Sequence, residues 1–196
     1  MLGGGAVLAG SWVVVVVDQG VPRFEATTFE WVNSLPDAVW PFVWVPMQLG
    51  SLVGSLGVVA ATYAVSRQHR LTLATLGGSQ VAWWSAKLIK TAVSRGRPAA
   101  LLVEVRLRES ASGLGYVSGH AAAAFALAAA LAPSLPRPWR VPAFALAAVV
   151  ALGRLYSGAH LPLDAVGGAG LGVLSGTLVR WALGLGGAGL PVEEQP

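Results

Sequence analysis

The chain has 196 residues, of which 55% are hydrophobic and only 11% charged, with a mean hydropathy of +0.64. Soluble domains carry about 25% charged residues, so composition excludes a water-exposed globule and a disordered chain and leaves an integral membrane protein. The net charge of +4 reflects few acids, 9 against 13 Lys and Arg, with no basic run interleaved with aromatics, so no nucleic-acid partner is expected, and the absence of cysteine excludes disulfide frameworks, thiolate metal sites and a cysteine nucleophile.

A spanning helix needs about 20 mostly apolar residues. The first candidate, Leu2 to Val17, lacks the basic flank and small-residue cleavage site of a signal peptide and is read as a span. Residues 18–38 are polar and mixed, and Phe29, Trp31, Val32 and Leu35 predict a short interfacial helix there. The second span is expected over Val39–Val65, with Trp40 and Trp44 at its entrance, and the third over Leu71–Val93. The fourth covers His120–Leu135, the fifth Val141–Tyr156 and the sixth Pro162–Leu185, followed by a polar tail, Pro191–Pro196. The expected architecture is therefore all-α, an integral membrane six-helix bundle forming one domain over residues 1–190, with 191–196 as the tail.

Short basic connections at residues 67–70 and 136–140 read as cytoplasmic, and Arg180 agrees with them. The segments 18–38, 94–119 and 157–161 then lie outside the cell or plasma membrane. Arg95, Arg106 and Arg108 are expected to solvate the outer loop or meet lipid headgroups, and Val103–Arg108, alternating apolar and charged, reads as a short extended segment or an edge lying on the membrane surface. Small residues recur four apart, at Gly50 and Gly54 and at Gly168, Gly172 and Gly176. Such faces let helices approach closely. Packing within the chain is the expected use, and a homodimer through the same faces is the alternative.

Ionisable residues in or beside spans are costly and usually functional. Here they gather at the outer ends of the third to sixth spans: Lys90, Arg97, Ser118-Gly119-His120, Arg154, His160 and Asp164. Each has a task if the ligand is a phosphate. Lys90, Arg97 and Arg154 offer cations, the arginines as planar forks and the lysine as a point charge. Ser118-Gly119 before an apolar run reads as a helix N-terminus whose amides face an anion. Asp164, four residues after His160 with Pro162 between, holds the imidazole in one tautomer and makes it a nucleophile or base. His120 is a second imidazole suited to general-acid work. His69 lies in the basic turn and reads as plain surface.

These residues resemble the three motifs of the type 2 phosphatidic acid phosphatase superfamily, which also includes vanadium haloperoxidases and glucose-6-phosphatase. The motif K-x6-R-P is complete from Lys90 to Arg97-Pro98. P-S-G-H is matched by Val117-Ser118-Gly119-His120, with valine for the proline, and S-R-x5-H-x3-D by Gly153-Arg154, His160 and Asp164, with glycine for the leading serine. The resemblance implies that His160 attacks phosphorus and forms a phosphohistidine. It implies that His120 protonates the leaving oxygen and then activates water, and that Lys90, Arg97, Arg154, Ser118 and the Gly119 amide bind the pentavalent transition state. It implies no metal and no cofactor.

The expected protein is thus a membrane lipid phosphatase with its site on the extracytoplasmic face. Its substrate is an anionic lipid such as undecaprenyl diphosphate, phosphatidate or phosphatidylglycerophosphate. A lipid phosphotransferase of the same family, or a non-catalytic transporter or scaffold keeping the fold, is the alternative. Loss of His120, His160 or Asp164 would mark the non-catalytic case, and all three are present.

Overall fold

The structure, a computed structural model, describes residues 2–18 and 20–185, and the polar tail at 191–196 lies outside the described residues. Among the described residues all regular secondary structure is helical. Helix α1 spans Leu2–Asp18 and α2 spans Arg23–Asn33. A 3₁₀ turn, Asp37–Val39, leads into α3, Trp40–Met47, and a second, Gln48–Gly50, separates it from α4, Leu52–Ser66. Then come α5 (His69–Val93), the single turn α6 (Pro98–Leu101), α7 (Gly119–Leu131), α8 (Arg137–Tyr156) and α9 (Pro162–Ala182). Proline stands in the first turn of α3, α6, α8 and α9, where its missing N–H removes no helical bond.

The expected second span is broken. Asp37–Gly50 and Leu52–Ser66 meet at a bend of 71°. Pro46 weakens the end of α3, and Ser51, in extended conformation, caps α4 by accepting the Gly54 N–H at 2.9 Å. Helices α8 and α9 are each long and apolar enough to cross a bilayer, and counting bent pairs as single spans gives up to four among the described residues. Two of the six expected spans fall outside this measure of length and composition. Helix α5 is 25 residues long but carries Gln80, Lys87 and Lys90, and α7 has only 13 residues.

Helix α7 is the centre. Its sequence, GHAAAAFALAAAL, is apolar and small on every side, and nearly all of it is buried between α5, α8 and α9. The glycine stripe of α9 faces it inside the chain. A Cβ on Gly168, Gly172 or Gly176 would press into the carbonyl oxygens of Ser118, Ala122 and Ala126 respectively. The two backbones therefore touch in register, four residues against four, and the first turns are tied where Ser118 N–H donates to the Asp164 carbonyl at 2.8 Å. Outward, α4, α5 and α8 expose Val53, Leu56, Val81, Leu88, Val141 and Leu152. An apolar exterior around a small-residue interior is what lipid as solvent permits. Gly172→Val should overpack the α7–α9 contact and destabilise the bundle by about 1–3 kcal/mol, read as a lowered unfolding midpoint in detergent; an unchanged midpoint would contradict the backbone contact.

Candidate active site

Helices α7 and α9 begin at the end of the bundle where α5 and α8 finish. Helix N-termini carry partial positive charge, and basic residues suit C-termini. Both rules here favour one outcome, an anion site. Lys90 lies in the last turn of α5 and Arg154 in the last turn of α8, while Ser118–His120 open α7 and Asp164 stands in the first turn of α9.

The two arms of the first motif grip the same loop. Lys90 Nζ donates to the carbonyls of Leu114 at 3.0 Å and Gly115 at 2.7 Å, and Arg97 Nε donates to the Ser112 carbonyl at 2.8 Å. Arg97 Nη1 donates to the Ala159 carbonyl at 2.7 Å and lies 3.4 Å from His160 Nε2. The Arg154 carbonyl accepts the N–H groups of Ala159 and His160, both at 3.1 Å, which folds residues 157–160 back over the end of α8. Ser118 caps α7, its Oγ accepting the Ala121 N–H at 3.4 Å. The His120 ring packs on Trp83, centroids 5.4 Å apart, within Coulombic reach of Lys90, Arg97, Arg154 and His160. All eight residues singled out in the sequence therefore meet at one end of the bundle.

The partners of His160 assign its tautomer. Nδ1 lies 3.3 Å from Asp164 Oδ2, an acceptor, and Nε2 faces a guanidinium, which only donates. The ring proton belongs on Nδ1, and Nε2 presents a lone pair beside Arg97. Burial, and then the charges of Lys90, Arg154 and Arg97, hold this imidazole well below the usual histidine range, so it is neutral at physiological pH. Asp164 is itself fixed on both oxygens: Oδ2 accepts the Leu161 N–H at 3.0 Å and Oδ1 accepts Arg95 Nη1 at 3.0 Å.

The sequence reading missed three participants. Arg95 does not solvate the outer loop. It is buried and joins Asp164 to Glu25, a wholly buried carboxylate on α2. Glu109 pairs with Arg154, whose Nε is buried without a partner among the described residues. Charge burial between segments some 70 residues apart leaves no local signal; the nearest clue is the acidic Glu25, four residues before Phe29 on the face of α2 that buries Phe29, Val32 and Asn33. Arg108 is also corrected. It stacks over Tyr156, 4.0 Å to the ring centroid, and donates to the carbonyls of Tyr156, Leu35 and Asn33. Arg106 is bound through its N–H to Asn33 Oδ1 at 2.8 Å, and Val103–Arg108 is irregular chain with no strand. The two departures from the motifs are packing sites. A Cβ at Gly153 would lie 2.8 Å from Val43 of α3, and Val117 is buried in the core beside Tyr116.

An all-α membrane bundle with a cluster of basic side chains, a buried His–Asp pair and a second imidazole at one end defines the class. The chain belongs to the PAP2 superfamily, whose sequence model matches residues 68–185, more than half of it. No curated protein sequence matches it. Two crystal structures share the fold. Aquifex aeolicus LpxE is 22% identical, with a TM-score of 0.75, covering 82% of this chain and 96% of that one. A transmembrane PAP2-type phosphatidylglycerolphosphate phosphatase from Bacillus subtilis is 18% identical, with a TM-score of 0.72, covering 93% of this chain and 96% of that one.

Glu109 holds Arg154 as an internal anion, with which an added phosphate would compete. Glu109→Gln should tighten the binding of inorganic phosphate several-fold, measured by calorimetry in detergent; weaker binding would make Glu109 a support of Arg154 instead.

Proposed function

We propose that the protein is a membrane lipid phosphatase that hydrolyses a phosphate monoester or diphosphate of an anionic lipid through a phosphohistidine. The observation that carries this reading is the His160 ring, neutral, with Nδ1 on Asp164 and the Nε2 lone pair turned to Arg97. In the first step Nε2 attacks phosphorus in line. The bond from phosphorus to the leaving oxygen breaks, and His120, which takes up a proton once the phosphate's negative charge offsets the surrounding Lys90, Arg97 and Arg154, supplies the proton that oxygen needs. Lys90, Arg97 and Arg154, with the Ser118–His120 turn, hold the equatorial oxygens, and their preorganised charge acts most strongly on the pentavalent state. In the second step the now neutral His120 takes a proton from water, whose oxygen attacks the phosphohistidine. Phosphate leaves, and both imidazoles return to their starting states.

The position of the site supports a lipid substrate. It lies at helix ends, where a headgroup stands while its chains stay in lipid, and the exterior around it is apolar. Undecaprenyl diphosphate, phosphatidate and phosphatidylglycerophosphate are the first candidates. The basic turn at 67–70 and the segment 136–140 lie at the opposite end of the bundle, where Arg180 reaches the Ala130 carbonyl and Ser134 at the end of α7. The positive-inside rule then favours an extracytoplasmic site.

The test is phosphate release from a panel of lipid phosphates in detergent, with and without chelator, beside a nitrophenyl phosphate. His160→Ala should be inactive on every substrate and trap no phosphoenzyme. His120→Ala should lose about 10²–10⁴-fold on lipid phosphates and much less on the nitrophenyl ester, whose leaving group needs little protonation. Activity abolished by EDTA and restored by Mg²⁺ would overturn the mechanism. Orientation is read separately in this cysteine-free chain: a cysteine at the exposed Ser112 should react with an impermeant maleimide in intact cells, and one at Gln68 only after permeabilisation. The reverse pattern would put the site on the cytoplasmic face.

A further inference from the structure

Behind His160 and Asp164 lies a chain of buried charge that the motifs do not contain. Arg95 leaves the end of α5 with 8% of its surface exposed, while Glu25 and Asp164 are fully buried. Arg95 Nη1 is shared at 3.0 Å between Asp164 Oδ1 and Glu25 Oε1, and Nη2 donates to Glu25 Oε2 and to the Gly20 carbonyl. Glu25 Oε1 also accepts the Leu163 N–H at 2.8 Å, one of the amides that the first turn of α9 cannot satisfy itself. Asp164 faces His160 and the Leu161 amide on its other oxygen, with Lys90 within Coulombic reach.

We infer that Arg95 and Glu25 are positioning residues for the reaction of His160: together they keep the Asp164 carboxylate charged and aimed at Nδ1, and so keep the ring proton off the attacking Nε2. The inference rests on the assignment of His160 as nucleophile. Its logic is one of proton placement. A carboxylate in an apolar bundle without a cation takes up a proton. A protonated Asp164 would donate to Nδ1 instead of accepting from it. The ring proton would move to Nε2, and the nucleophile's lone pair would be lost with every atom still near its place. Glu25 acts at one remove. It anchors Arg95 on the side away from Asp164 and ties it to the first turn of α9, so the guanidinium cannot swing out. Glu25 lies before the segment 68–185 that carries the family match, so α2 becomes part of the catalytic apparatus.

The experiment uses the full chain in detergent, with Arg95→Met, Arg95→Lys, Glu25→Gln, Asp164→Asn and the double variant Arg95→Met/Asp164→Asn. Kinetics on a lipid phosphate are paired with ¹⁵N spectra of the imidazoles, simple to assign with three histidines in the chain. Arg95→Met should lower kcat on the order of 10²-fold or more with KM little changed, and should shift the His160 signal from the Nδ1–H towards the Nε2–H tautomer. Arg95→Lys should restore much of kcat and the tautomer. Glu25→Gln should show the same changes in smaller degree. Adding Arg95→Met to Asp164→Asn should cost little more, because both act on one carboxylate. The fold is checked by phosphate binding, since Lys90, Arg97 and Arg154 are untouched. A kcat within twofold of the parent, or an unchanged tautomer in a folded Arg95→Met, would overturn the inference while His160→Ala stays inactive. An active His160→Ala would instead overturn the assignment beneath it.

Discussion

The site hangs on one buried carboxylate. Asp164 is placed in an apolar bundle where an unpaired ion is costly by several kcal/mol. What offsets that cost is local: the Leu161 amide, the positive end of α9 and the Arg95 guanidinium. Its carbonyl holds the Ser118 amide, so the same residue orients His160 by its side chain and joins α9 to the start of α7 by its backbone. The tautomer of His160 and the placing of the second imidazole thus share a single origin.

Around that carboxylate the protein assembles charges that repel one another. Lys90, Arg97 and Arg154 lie within Coulombic reach of one another. Lys90 and Arg97 are held by carbonyls of Leu114, Gly115, Ser112 and Ala159, dipoles that neutralise no charge, and Arg154 by Glu109. Only anions relieve the repulsion. Because those dipoles and Glu109 already fix the cations, little need move when an anion meets them.

Much of this was legible beforehand because the motif residues sit at helix ends, and helix ends are written in local sequence. Ser118 before the alanine run and Pro162 before Asp164 announced two N-termini, and Lys90 and Arg154 closed two apolar stretches. The bend between α3 and α4 escaped because Trp40 to Ser66 is uncharged and mostly apolar, and hydropathy does not register direction. Its signals, Pro46 and the Ser51 cap, are weak in isolation. Arg95 escaped for another reason. A loop arginine beside a membrane has a ready surface role, and only the three-dimensional meeting of α2 with α9 reveals the pair of acids that bury it.

The in-register contact of α7 with α9 has a consequence for how such a protein diversifies. Because backbone rests on backbone through Gly168, Gly172 and Gly176, one helix cannot slip past the other by a fraction of a turn. The next seating that opposes glycine to the small face of α7 is four residues away, about 6 Å. The gap between the turn carrying His120 and the turn carrying His160 is therefore a fixed gauge. The walls are different. Helices α2 and α3 meet the core mainly through side chains such as Val32, Trp40 and Val43, which trade volume without shifting a backbone. Descent from one ancestor to many substrates has room to proceed there, with the calliper at the centre left as it was.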